Sequence, residues 1–139
     1  MDKLKNTDMY LLVEATSNQV DQFGGYRGMI PKEYRDFIYE LCEKNNFPKE
    51  KVILGGEHLR TLTWRNIDPI QALENSKELI KQYVMAGLTK IHIDTSMQIK
   101  GDGEDEKFGD EIIAERAAIL CKTAEEAYLE LIECLYSRK

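Results

Sequence analysis

The chain has 139 residues, enough for one domain with a buried core. Lys plus Arg number 19 and Asp plus Glu 25, a formal net charge of -6. That balance argues against nucleic acid or an anionic membrane surface as the main partner, because both demand concentrated cations. Three cysteines, Cys42, Cys121 and Cys134, form no short-spaced pair. They read as reduced, partly buried thiols on helices, which suits a reducing cytoplasm better than a disulfide framework or a zinc knuckle.

The first predicted element is a buried strand over Met9–Glu14, a mostly apolar run that ends in a polar bend. The glycine-rich stretch from Thr16 to Met29 reads as a loop. Pro31 then opens a helix to about Lys44, with Tyr34, Phe37, Ile38 and Leu41 on its inner face. Val52, Ile53 and Leu54 predict a second strand that stops at Gly55-Gly56, with a loop from Glu57 to Asp68. Pro69 starts the next helix, lined by Leu73, Ser76, Leu79, Ile80, Tyr83 and Val84 and stopped at Gly87. Thr89–Asp94 alternates as a third strand, Ile91 and Ile93 to one side, His92 and Asp94 to the other. The acidic stretch from Gly101 to Glu111 reads as a solvated loop, without the spacing of an EF-hand. A long helix from about Asp110 to Leu135 follows, its stripe being Ile113, Ala117, Leu120, Ala124, Tyr128, Leu131 and Leu135.

The order is three βα units in a single domain over residues 1–139. Strands joined by such helices run parallel with right-handed crossovers. Two architectures satisfy that pattern, an open three-layer sheet and part of a TIM barrel. The N-terminus shows no signal-peptide pattern, and no run reaches the roughly 20 apolar residues of a membrane helix, so the expected location is cytoplasmic.

Ligands of parallel α/β folds sit beyond the carboxyl ends of the strands. The first end offers Glu14, Thr16, Ser17, Asn18 and Gln19; the second Gly55, Gly56, Glu57 and His58; the third His92, Asp94, Thr95 and Ser96. Both histidines of the chain lie in this set. His58 can bind a divalent metal through a ring nitrogen, and Glu57 can move a proton if its pKa is raised; the competing reading is a solvated loop pair. For His92 the competing reading is a buried ring satisfied by a neighbour. Gly55-Gly56 allows close approach of a ligand, or makes a simple turn. Arg27, Arg60 and Arg65 fall in loops, where they can hold an anionic sugar substituent or be solvated. Trp64 can pack on a sugar face or on the fold's edge. No Walker lysine and no Gly-x-Gly-x-x-Gly pattern occurs.

Longer blocks carry a resemblance. They are Val13-Glu14-Ala15-Thr16-Ser17-Asn18-Gln19-Val20, Gln22-Phe23-Gly24-Gly25-Tyr26, Gly28-Met29, Ile53-Leu54-Gly55-Gly56, His58-Leu59 and Trp64. Lys90-Ile91-His92-Ile93-Asp94, Ser96-Met97 and Ala114-Glu115-Arg116-Ala117-Ala118 continue the series. In this order the blocks resemble the GatZ/KbaZ family, the large, non-catalytic subunits of class II D-tagatose-1,6-bisphosphate aldolase. The resemblance implies an α/β partial TIM barrel of three consecutive parallel βα units from the N-terminal half of a longer barrel. It implies a supporting role in carbohydrate metabolism beside a small class II aldolase catalytic subunit, or self-association, with a sugar phosphate as substrate. It also implies Glu57 as the proton-transfer acid and His58 as a ligand to zinc or another divalent metal. Asn18, Gln19, Gly55, Gly56, Asp94 and Ser96 are then the substrate-binding candidates. The chain departs from the family pattern in having Glu57 where aspartate is usual, and Arg60-Thr61 where Gly-Pro is usual. Two alternatives stay open: a metal-dependent aldolase or 4-epimerase completed by another chain, and a truncated product without activity.

Overall fold

A computed structural model of the chain describes residues 1–100 and 109–137. Its elements are β1 (Leu11–Thr16), α1 (Pro31–Lys44), β2 (Val52–Leu59), α2 (Pro69–Met85), β3 (Lys90–Ile93) and α3 (Asp110–Tyr136). The acidic run Asp102–Glu106, expected to be a loop, lies outside the described residues.

Each helix starts where its sequence allows. Pro31 occupies the first turn of α1, and the Glu33 carboxylate accepts the Ile30 N–H at 3.0 Å. Pro69 does the same for α2, where Asp68 Oδ1 accepts the N–H groups of Ile70 at 3.0 Å and Gln71 at 3.2 Å. Proline lacks the N–H that has no partner there, and the aspartate satisfies two that would otherwise be orphaned.

The three strands form one parallel sheet in the order β1-β2-β3. It is open, and its arrangement is that of a partial TIM barrel. Side chains of Val13, Ala15, Leu54, Ile91, Ile93 and Leu59 join a core with Tyr34, Ile38 and Cys42 of α1, Leu79, Ile80 and Tyr83 of α2 and Leu120 of α3. Tyr83 is central: fully buried, it donates its hydroxyl to the Val20 carbonyl at 2.9 Å. That bond ties α2 to the loop after β1.

Several details differ from the sequence reading. β1 lies two residues later than expected, at Leu11–Thr16 instead of Met9–Glu14, and leaves Met9 and Tyr10 exposed. β2 does not stop at Gly55-Gly56 but runs on to Leu59, because pairing to strands on both sides holds the glycines extended. Phe37 turns outward at 43% exposure, and Cys42 takes the buried place on α1. On α3, Leu120 and Ala127 are buried while Tyr128 and Leu135 are exposed. At 1.5 Å per residue the 27 residues of α3 outrun the 17 of α2, and its stripe is exposed towards its C-terminal end. Cys121 and Cys134, expected to be partly buried, are exposed on the same helix, Cys121 one residue round from buried Leu120 and Cys134 towards the exposed C-terminal end. None of the described helices is long and apolar enough to cross a membrane.

Candidate metal centre at the end of the central strand

The register places the site. Leu12 pairs with Ile53, Glu14 with Gly55, Thr16 with Glu57, and Gly55 in turn with Lys90. Paired residues share a face, so Glu14, Glu57, Lys90 and His92 project from the side of the sheet away from the helices. Leu12 and Ile53, on that same side, are 48% and 38% exposed.

Strict alternation would send His58 to the helix side. It does not go there, because β2 bulges. Gly56 pairs with Ile91 and Leu59 with Ile93, so three steps on β2 oppose two on β3. His58 absorbs the extra residue in the left-handed region, at φ +50°. Leu59 is thereby returned to the core, fully buried. Glu57 and His58, consecutive in sequence, meet on the open face. Ser17 Oγ, in the turn just after β1, donates to the His58 carbonyl at 3.1 Å and steadies the bulge.

Glu57 is the hub. Its Oε1 lies 2.6 Å from His92 Nδ1 and 3.0 Å from His58 Nδ1. The two imidazoles sit 4.7 Å apart, centroid to centroid. On the other oxygen, Oε2, the Lys90 ammonium forms a hydrogen-bonded ion pair, and the same ammonium reaches Glu14 Oε1 at 2.5 Å. The hydrogen bond from Lys90, followed by that from His92, holds the Glu57 carboxyl down at about 2. The Lys90 ammonium is pushed up, first by Glu14 and then by Glu57. Glu57 is therefore a fixed anion at neutral pH, the reverse of the raised pKa that a proton-transfer acid needs.

Glu57, His58 and His92 bring one carboxylate oxygen and two ring nitrogens within 4.8 Å of one another. Zinc accepts that donor set; its bonds near 2 Å place tetrahedral ligand atoms roughly 3.3 Å apart, so a small closing of the three side chains brings them onto an ion. The residues fit a divalent ion.

The remaining candidates divide. Asp94, just past β3, accepts from Ser96 N at 3.0 Å and Ser96 Oγ at 2.6 Å, and pairs with Arg60 at 3.4 Å. Partial burial opposes its ionisation, but the Ser96 bonds and the Arg60 and His58 charges outweigh this and hold its carboxyl below the ordinary value. Asn18 Oδ1 accepts from Thr63 Oγ1 at 3.0 Å. Gln19 is occupied in its own turn, accepting the Thr16 N–H at 2.9 Å. Gly55 is on the open face, where a Cβ would come within 3.0 Å of Glu14 Oε1. Gly56 faces the helices instead: a Cβ there would lie 2.7 Å from Leu59 and 2.8 Å from the Tyr83 ring. Arg27 lies over the Tyr26 ring, and Trp64 meets Phe23 edge to face. Lys90 was missed as a functional residue, and Glu14, named at the first strand end, was given no role there. The signal was present, since Lys90 and His92 alternate on one strand, but only the pairing of β2 with both neighbours shows what they touch.

The family model described as D-tagatose-1,6-bisphosphate aldolase subunit GatZ/KbaZ-like matches residues 1–136. The chain is 50% identical over 129 residues to the D-tagatose-1,6-bisphosphate aldolase subunit GatZ of Salmonella paratyphi B, covering 93% of this chain and 30% of that protein. Against the GatZ subunit of Salmonella typhimurium the identity is 49% over the same length and shares. A crystal structure of "a probable tagatose 6 phosphate kinase" from Sinorhizobium meliloti 1021 superposes with a TM-score of 0.86 at 39% identity, covering 93% of this chain and 33% of that one. The chain thus spans about a third or less of the relatives it matches.

Proposed function

We infer the role of this chain from its family: it belongs to the D-tagatose-1,6-bisphosphate aldolase subunit GatZ/KbaZ-like family, and we read it as a non-catalytic supporting unit of a class II D-tagatose-1,6-bisphosphate aldolase. The reaction served is the reversible aldol cleavage of D-tagatose 1,6-bisphosphate to glycerone phosphate and glyceraldehyde 3-phosphate, in cytoplasmic carbohydrate metabolism. The observation that carries the non-catalytic reading is the state of Glu57. Both of its oxygens are taken, Oε1 by His58 and His92 and Oε2 by Lys90, and these partners hold the carboxyl well below the ordinary carboxylate range, away from proton transfer at neutral pH. The partner on this reading is the small catalytic aldolase subunit, or a second copy of the chain. Mixing the purified chain with such a catalytic subunit, followed by light scattering and thermal inactivation, tests it. A complex in which the aldolase inactivates more slowly is expected. Two species that elute apart, with the inactivation rate unchanged, refute it.

The gathering of Glu57, His58 and His92 within 4.8 Å favours a second reading, a metal-dependent sugar-phosphate aldolase or 4-epimerase completed by another chain. A divalent cation held there supplies Lewis-acid polarisation of a sugar carbonyl. His58 and His92 provide the nitrogens, and Glu57 provides charge and orientation. A sugar phosphate is then contacted from Asn18 and the Asp94–Ser96 pair, with Gln19, Gly55 and Gly56 shaping the backbone beneath. This reading requires that His58→Ala abolish turnover in the complex.

A further inference from the structure

The open face carries a cation of its own beside the metal-ligand set. We propose that Lys90 stands in for the divalent ion, and that Glu14 is the carboxylate to which the lysine withdraws when metal binds. This rests on reading Glu57, His58 and His92 as a metal centre.

Glu57 divides its two oxygens. Oε1 faces the imidazoles and Oε2 is ion-paired with Lys90. A divalent ion on Oε1, with bonds near 2 Å, would lie roughly 5 Å from the ammonium. Like charges at that distance repel, and the lysine therefore competes for the charge of the one anionic ligand. Glu14 offers it another place. It sits on β1, two strands away from Lys90, yet its Oε1 is 2.5 Å from Lys90 Nζ. The two reach across the central strand because Gly55 lies between them without a side chain. A Cβ on Gly55 would come within 3.0 Å of Glu14 Oε1 and 3.1 Å of Lys90 Cβ. Gly55 thus opens the gap through which the lysine bridges two carboxylates. The Glu14 side chain is largely sheltered, at 22% exposure, which keeps this second acceptor in place.

The test is Co(II) titration of the purified full chain, read by visible absorption and by calorimetry, with circular dichroism on every variant. Lys90→Met removes the competing charge and is expected to tighten Co(II) binding about tenfold or more. Lys90→Gln must shift binding in the same direction. Glu14→Gln takes away the alternative acceptor and is expected to weaken binding. In the Lys90→Met background that weakening should shrink to within about twofold, as befits a residue acting through another. Weaker or unchanged binding by both folded lysine variants overturns the proposal, as does an undiminished effect of Glu14→Gln in the double variant. His58→Ala separates this from the metal reading. If Co(II) binding survives His58→Ala unchanged, or no variant binds Co(II), the metal centre itself is refuted. If His58→Ala abolishes binding while the lysine variants leave it unaltered, only the role of Lys90 falls.

Discussion

Replacing His58 by glycine and by alanine separates what the side chain does from what the backbone demands. Both substitutions delete the imidazole, so its contacts with Glu57 and His92 cancel in the comparison. Both keep the carbonyl that accepts from Ser17 Oγ. What differs is the cost of φ +50°. An L-residue in the left-handed region is disfavoured by about 1–2 kcal/mol relative to glycine. In an ordinary extended strand the order reverses, glycine being worse than alanine by about 0.5–1 kcal/mol. His58→Gly should therefore be more stable than His58→Ala by about 1 kcal/mol. Urea unfolding followed by circular dichroism would resolve this as a midpoint difference of about 0.5 M at unchanged slope. Greater stability of the alanine variant would mean that residue 58 is regular strand, and the account of how Glu57 and His58 share a face would be wrong. The same pair bears on function. A histidine at a backbone position that favours glycine stores strain, and such strain collects at functional sites.

Gly56→Ala should destabilise the fold by about 1–3 kcal/mol, because its methyl would press on Leu59 and on a Tyr83 ring that is anchored by its hydroxyl and cannot yield freely; a midpoint like that of the unsubstituted chain in the same urea assay would contradict the tight β2–α2 packing. The Tyr34 hydroxyl is pushed up to about 12, by burial first and by Glu14 second. A raised pKa in the folded state means that the fold requires the protonated form. Its contribution is complete below pH 10 and is lost as pH rises from 10.0 through about 12. Tyr34→Phe should flatten the alkaline fall in stability over that window, and an identical fall in both proteins would show that Tyr34 takes no part.

Local chemistry in the sequence was sufficient for much of this structure. Pro31, Pro69 and Asp68 mark helix starts through missing or satisfied N–H groups, which neighbouring residues decide by themselves. The period of Ser76, Leu79, Ile80 and Tyr83 names the buried face of α2, because a helix repeats every 3.6 residues wherever it packs. The gathering of strand ends on one rim, with both histidines in it, followed from the βα order and parallel pairing. The site's inner arrangement did not. Gly55-Gly56 carries the local signature of a stop, and only hydrogen bonding to β1 and β3 extends the strand through it to Leu59. The bulge at His58 is a mismatch in step between two strands, a property of the pair that neither strand holds alone. It was this mismatch that turned a strand's alternating residues into neighbours, and Gly55 that let Lys90 reach Glu14 from two strands away. Contacts between residues 33 or more apart in sequence fixed Glu57 as an anion, where the sequence by itself offered an acid.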